Sequence, residues 1–156
     1  GVPGLSLFLE YLNNPQATAE SFDEQGWFRT GDQVTLHEDG YISFADRSKD
    51  MLKVGGENVA ASEIERVIML VPGVREVAVV AKKHPMLDEV PVAFVRPDLN
   101  APPPARMIES LEAACAQSLA DFKRPREIRL VEDFPRSTLE KIAKAQLRAQ
   151  LAAEKT

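Results

Sequence analysis

Two different periods of apolar residues run along this chain, and the places where one gives way to the other mark its elements. Ile64, Val67 and Ile68 recur at i, i+3 and i+4, the stripe of an amphipathic helix. Ser62–Glu63–Ile64–Glu65 stands at its start with the pattern of a capping box, and Val71–Pro72–Gly73 ends it. Val74–Ala81 is rich in β-branched residues and reads as a buried strand. His84 to Glu89 reads as a loop, Val92–Val95 as a strand after Pro91, and Asn100–Pro104 as a Pro-rich spacer. A helix follows over about 105–120 with Ile108, Leu111, Cys115 and Leu119 on one face. Ile128–Val131 reads as a further strand. Ser137–Glu140 repeats the capping-box pattern and predicts a last helix with Leu139, Ile142, Leu147 and Leu151 facing inward.

The first third is patterned differently. Leu5–Leu9 follows turn residues and reads as a strand, with a short helix over about 15–22. Trp27 and Phe28 are expected to be buried, and Thr30–Gly31–Asp32 reads as a tight turn. Val34–Leu36 and Tyr41–Phe44 flank an Asp39–Gly40 pair, a strong hairpin signal. From Met51 the order is β-β-α-β-β-α-β-α. A small mixed sheet with packed helices is an α+β domain. The predicted boundary leaves 1–48 as a β-rich piece (strand, short helix, hairpin) and 49–156 as the α+β domain.

Between them lies a stretch with no clean period, Ala45–Asp46–Arg47–Ser48–Lys49–Asp50–Met51–Leu52–Lys53–Val54–Gly55–Gly56–Glu57–Asn58–Val59. It is dense in charge and holds a Gly-Gly pair, which lets another molecule approach the backbone. A polar join between domains and a hinge carrying a ligand loop both fit it.

Composition narrows the classes. The chain has 156 residues, 44% of them hydrophobic, enough for a packed core. A net charge of −5 argues against a general nucleic-acid binder. No apolar run approaches the roughly 20 residues of a membrane helix, and the amino terminus has no basic-then-apolar leader pattern. A cytoplasmic location is the expectation. Cys115 is the single cysteine, so no internal disulfide and no Cys-built metal site is expected. On its helix face Cys115 reads as core. His37 and His84 lie far apart.

Three motifs stand in order: Gly26–Trp27–Phe28–Arg29–Thr30–Gly31–Asp32, the Ala45–Val59 stretch, and Pro135–Arg136–Ser137–Thr138–Leu139–Glu140–Lys141. Together they resemble the C-terminal motif set of the AMP-forming acyl-CoA synthetases. That adenylate-forming superfamily includes luciferases and the adenylation domains of peptide synthetases. The resemblance runs from about Gly4 to the end. The family's phosphate-binding Ser/Thr/Gly-rich loop and its acyl pocket lie upstream of these motifs, and no such segment occurs here. The expectation is the C-terminal part of a longer enzyme.

The residues themselves suit that chemistry to different degrees. An ionised carboxylate is acceptor-only with two oxygens, so Asp32 suits a diol, although Asp on a turn is commonly an Asx-turn residue. With Ser137 as N-cap, Lys141 would sit in the first turns of a helix, where free N–H groups and the dipole favour an anion. Its ammonium adds a mobile charge. Lys144 and Arg148 continue that face and read as a solvated basic stripe. Arg47 is open between a ligand contact and an ion pair with Asp46 or Asp50.

The resemblance implies more specific roles. Asp32 would accept from both ribose hydroxyls of ATP, and Arg47 would reach the nucleotide. Lys49 would be the hinge. Lys53 and the Gly55–Gly56–Glu57–Asn58 loop would enter the site for thioester formation, with Gly letting the pantetheine arm of CoA pass. Lys141 would contact the acyl carboxylate and phosphate oxygens during adenylation. Many relatives have Gly just before that Lys, where this chain has Glu140. Phe122–Lys123–Arg124–Pro125 is similar to the CoA-nucleotide segment of halobenzoate-type aryl-CoA ligases, through stacking and phosphate contact. Those enzymes have Trp where this chain has Leu87. The hinge and Gly-Gly-Glu-Asn also resemble carnitine/crotonobetaine-CoA ligases.

The implied function is an ATP-dependent ligase joining a small carboxylic acid to CoA through acyl-AMP, with rotation about Lys49 between the two steps and Mg²⁺ accompanying ATP. Two other classes are kept in view. One is a non-catalytic module binding a nucleotide, CoA or a protein. The other is a peptide-synthetase-type adenylation domain serving a carrier protein. Retention of Asp32, Arg47 and Lys141 together disfavours the first. Apolar residues Leu5, Leu7, Phe8, Trp27 and Phe28 predict self-association through residues 1–44.

Overall fold

The structure, a computed structural model, describes residues 10, 12–30, 50–137 and 140–154, together with the backbone of strands at 32–36 and 42–47. The chain divides into two compact units, Gly1–Lys49 and Asp50–Thr156.

In the first unit, helix α1 spans Pro15–Ser21. Asn14 caps it, its Oδ1 accepting the Ala17 N–H at 3.0 Å, and Pro15 supplies the preset φ of a first helical turn. Asp23 Oδ1 then accepts the N–H groups of Gln25 and Trp27, both at 2.9 Å. The turn brings Phe22 and Phe28 into a β-bridge with edge-on rings, 5.6 Å between centroids. Neighbouring residues of an extended segment point to opposite sides. Phe28 takes the side facing Phe22, and Trp27, expected to be buried, is left 41% exposed. Strands β1 (Asp32–Leu36) and β2 (Ile42–Arg47) pair antiparallel as the predicted hairpin. Asp32 opens β1 instead of sitting at a turn tip. The expected strand at Leu5–Leu9, the Asp39–Gly40 turn and Lys49 lie outside the described residues.

The second unit runs β3 (Met51–Val54), β4 (Glu57–Ala60), α2 (Ala61–Met69), β5 (Val74–His84), β6 (Asp88–Pro97), α3 (Pro104–Ser118), β7 (Glu127–Leu130), α4 (Lys144–Ala153). That is the predicted α+β order. Strand β6 is its centre. It pairs antiparallel with β5 along its length, parallel with β7 from Val92 to Val95, and antiparallel with β3 where Asp88 meets Val54. Alternate residues of β5 and β6 feed two cores. Val79, Ala93 and Val95 pack with Ile64 and Ile68 of α2 and with Met107, Leu111 and Cys115 of α3. Ala78, Val80, Val92 and Phe94 pack with Phe134 and with Leu147 and Leu151 of α4. Burial on both faces is why these strands read as continuous apolar runs. Cys115 is core, and burial pushes its thiol pKa up.

The β5–β6 hairpin extends past its apolar run. Its ladder continues through Lys82, Lys83 and Glu89 to His84 opposite Asp88, so the expected loop from His84 to Glu89 shrinks to a tip. Charged residues there hid the strand from a hydrophobic reading. His84 Nδ1 closes the tip by accepting the N–H groups of Met86 and Leu87, each at 3.2 Å. The capping box at Ser62–Glu65 does not form: α2 starts at Ala61, and its N-cap Ala60 has no side-chain cap. Glu65 reaches instead to the outer edge of β5 and accepts the Val79 N–H at 2.7 Å.

Candidate functional site

Gly55 and Gly56 form a two-residue turn between β3 and β4, with φ of +59° and +90°. Positive φ at both central residues is the demand of a type I′ hairpin, which Gly meets without strain. Lys53 faces Asn58, and Val54 faces Glu57, across that hairpin. Lys53, Gly55, Gly56, Glu57 and Asn58 are all exposed. The turn rests on the β5–β6 tip: Gly55 N–H donates to Leu87 O at 2.9 Å, and Lys53 N–H donates to Glu89 Oε2 at 3.0 Å. A Cβ on Gly55 would lie 3.5 Å from Leu87 Cδ2, whereas one on Gly56 would meet nothing within 4 Å.

Lys141 is not in a helix. The capping box expected at Ser137–Glu140 is replaced by a turn, and α4 begins only at Lys144. Arg136 and Ile142 form an isolated antiparallel bridge. Within it Ser137 N–H donates to Lys141 O at 2.8 Å, and Ala143 N–H donates to Pro135 O at 2.8 Å. Glu140 sits at φ +58°, a conformation that favours Gly. Glu140, the point at which the motif departs from the resembled pattern, thus falls on a strained position. Lys141 itself is exposed. It precedes α4 by three residues and so does not sit in the first turn of a helix.

The basic stripe on α4 is not solvated either. Lys144 Nζ lies 2.8 Å from Glu65 and 3.7 Å from Asp50, and Arg148 Nη2 lies 2.6 Å from Asp50 Oδ1. These contacts tie α4 to α2 and to Asp50, which precedes β3.

Phe122 and Lys123 lie in a short 3-10 turn, Asp121–Lys123. Phe122 is 37% exposed, and the Lys123 ammonium stands 5.8 Å over its ring. Both oxygens of Glu63 hold that ammonium at 2.8 Å. Arg124 caps the C-terminal end of α3. Its Nε donates to Leu119 O at 3.2 Å and its Nη2 to Ala116 O at 3.1 Å, with Asp121 beside it at 3.4 Å. The Arg124 guanidinium thus has a structural task that its sequence context did not signal.

Two placements relate these groups. Asp32 and Arg47 are register partners across β1 and β2. In the second unit, the Gly55–Gly56 turn adjoins Leu87 and Asp88 at one end of the β5–β6 ladder. The Lys141 turn is tied to the other end, because Arg136 Nη2 lies 2.8 Å from Glu76 on β5, whose ladder partner is Arg96 on β6. Asp88 and Arg96 are separated by most of β6, about 26 Å at roughly 3.3 Å per residue. Glu76 was missed from sequence, while Glu65 was read as part of a capping box and Asp50 as a possible partner of Arg47, since each finds its actual partner through the tertiary fold. Arg136 stood inside a quoted motif and was the one with a signal. Among the described residues no cluster of three His, Cys, Asp or Glu could hold a metal ion, and no helix is long and apolar enough to cross a membrane.

Residues 63–141 match the family model for the AMP-binding enzyme C-terminal domain. The chain is 42% identical over 147 residues to the long-chain-fatty-acid–CoA ligase FadD13 of Mycobacterium tuberculosis, covering 94% of this chain and 28% of that protein. Among solved structures it is similar to the anthranilate CoA ligase AuaEII in complex with anthranoyl-AMP (TM-score 0.81, 34% identity, 94% of this chain and 28% of that one). It is also similar to ATP-bound MatB from Rhodopseudomonas palustris (TM-score 0.76, 34% identity, 90% of this chain and 27% of that one). The chain spans little more than a quarter of the length of each.

Proposed function

The chain belongs to the AMP-binding enzyme C-terminal domain family, and on that premise we propose that it is the mobile C-terminal part of an ATP-dependent carboxylic acid–CoA ligase. The whole enzyme activates its acid to acyl-AMP with release of pyrophosphate, then passes the acyl group to CoA. The relatives act on, or are seen with, a long-chain fatty acid, ATP and anthranoyl-AMP, which supports a carboxylic acid and ATP as the substrates here.

The single observation that carries the mechanism is the pair of exposed turns tied to opposite ends of one ladder. Lys141 stands on one and Gly55–Gly56 on the other. A rigid body with two such ends serves two half-reactions if it rotates between them. Lys49, at the junction of the two units, is the hinge in this reading. Lys141 brings a point charge to the acyl carboxylate and phosphate oxygens in the first step. In the second, the Gly56 backbone leaves open space for the pantetheine arm, with Lys53, Glu57 and Asn58 around it. Asp32 and Arg47 hold the nucleotide. The Phe122 ring offers a stacking face for the CoA nucleotide, and Lys123 and Arg124 supply positive charge beside it, each already engaged with the protein. Mg²⁺ accompanies ATP in this reading. Self-association through residues 1–44 belongs to the same proposal. Leu5, Leu7 and Phe8 lie outside the described residues, and the exposed Trp27 ring supports it. A cytoplasmic location also remains part of the proposal.

The test is a coupled assay on the full-length enzyme with fatty and aryl acids. Acid-dependent pyrophosphate release, followed by thioester only when CoA is added, is the expected result. The 156-residue chain alone is expected to release no pyrophosphate. Absence of acid-dependent release from the full-length enzyme would remove the proposal.

A further inference from the structure

We propose that Arg136, held by Glu76, is a positioning residue for Lys141. This deepens the proposed function and rests on its assignment of Lys141 to acyl-AMP formation.

The argument starts from the backbone on either side of the Lys141 Cα. The peptide entering Lys141 carries the Glu140 carbonyl, which accepts from Arg136 Nη1 at 3.3 Å. The peptide leaving it carries the Lys141 carbonyl, which accepts the Ser137 N–H at 2.8 Å. Both peptide planes that set the direction of the Lys141 side chain are therefore tied, one of them by a side chain. A tether is needed here. Glu140 is in the left-handed region, which a residue with a Cβ does not hold by its own preference. No helix extends to Lys141 to fix it instead.

The tether has a rigid anchor. Arg136 Nη2 lies 2.8 Å from Glu76 Oε2, and the same oxygen accepts from Arg96 Nη1 at 2.9 Å. Asp133 adds Oδ1 at 3.2 Å from Arg96 and 3.5 Å from Arg136. Glu76 and Arg96 are cross-strand partners on β5 and β6, so the anchor belongs to the sheet. The Arg136 hydrogen bond holds the Glu76 carboxyl below its ordinary value, against the opposing effect of burial and with Arg96 helping. Its guanidinium is thus clamped between a β-sheet carboxylate and the peptide that enters Lys141. Arg136 acts on Lys141 through the backbone, by way of the Glu140 carbonyl.

The experiment has two arms. In the full-length enzyme, Arg136→Gln and Glu76→Ala should each slow acyl-AMP formation about 10- to 100-fold, the scale of a misplaced reacting group. Thioester formation from preformed acyl-AMP should be unchanged. In a Lys141→Ala background, Arg136→Gln should add nothing, because a residue that acts only through Lys141 has no further effect once that side chain is gone. In the 156-residue chain, hydrogen exchange at the Ser137 and Ala143 amides should speed up on Arg136→Gln while the β6 amides stay protected. Protected β6 amides also show that the variant is folded. Unchanged exchange at Ser137 and Ala143, or an equal rate loss with and without Lys141, overturns the positioning role. If Lys141→Ala itself leaves acyl-AMP formation intact, the assignment of Lys141 fails and this inference falls with it. If Lys141→Ala slows that step and Arg136→Gln does not, only the inference fails.

Discussion

Asp32 and Arg47 face each other as register partners at the end of the β1–β2 ladder. In the proposed enzyme a carboxylate and a guanidinium from facing strands serve one nucleotide. Asp32→Asn and Arg47→Gln are each expected to raise the apparent KM for ATP about 10- to 100-fold, since a hydrogen bond to a charged group contributes about 1.5–3 kcal/mol. Facing positions should also couple, so the double variant should lose less than the product of the two. The ATP dependence of pyrophosphate release measures this, and an unchanged KM in both single variants would take the pair out of the site.

Gly56 separates a backbone demand from a space demand. Its φ is +90° and no atom stands near its missing Cβ. Any side chain there meets backbone strain of about 1–2 kcal/mol, which Asn tolerates better than Leu. Gly56→Leu should abolish thioester formation and spare acyl-AMP formation, while Gly56→Asn should keep a near-native unfolding midpoint. Stopped thioester transfer in Gly56→Leu with an unfolding midpoint close to that of Gly56→Asn would assign the loss to blocked space. Full thioester activity in Gly56→Leu would remove the loop from the pantetheine path.

Arg124 has two tasks to tell apart. Its guanidinium caps α3 through the Leu119 and Ala116 carbonyls. Arg124→Ala should therefore lower unfolding stability in the 156-residue chain by about 1.5–3 kcal/mol, the value of hydrogen bonding by a charged group. In the full-length enzyme it should also raise the KM for CoA with acyl-AMP formation nearly untouched. A stability loss with unchanged CoA dependence would leave Arg124 as a helix cap only.

Glu140 carries its side chain at φ +58°. Glu140→Gly should stabilise the chain by about 1 kcal/mol by removing that strain, read as a higher midpoint in urea. A lower midpoint would mean that the Glu140 side chain contributes more than its backbone conformation loses.

Much of the fold was legible because its signals are local and redundant. Ile64 and Ile68 mark one helix face, the Val-rich runs of β5 and β6 are buried on both sides, and Gly55–Gly56 needs its glycines for the turn. What was not legible came from the tertiary fold. Ser62–Glu65 and Ser137–Glu140 carry the same capping signature, yet neither caps a helix. Glu65 is drawn to the open edge of β5 at Val79 and to Lys144. The Ser137 segment is held in a turn by Arg136, Glu76 and the Pro135 carbonyl. Trp27 and Phe28 looked equivalent as apolar neighbours, but only one side of an extended segment could face Phe22. Lys144 and Arg148 looked like a solvated face because Asp50 and Glu65 lie far away in sequence. The candidate residues stand out by motif order, whereas the network that holds them exists only between residues far apart in sequence.

The most direct measurement takes the two half-reactions of the full-length enzyme separately, in Lys141→Ala and in Lys49→Pro. Lys141→Ala should slow acyl-AMP formation about 100-fold or more, as loss of a charge placed on a developing anion does. It should spare thioester formation when preformed acyl-AMP is supplied. Lys49→Pro fixes φ at the junction, so it should leave acyl-AMP formation largely intact and cripple thioester formation. Opposite losses in the two variants are the result expected of one body turning between two steps. Equal damage to both half-reactions in both variants would contradict it.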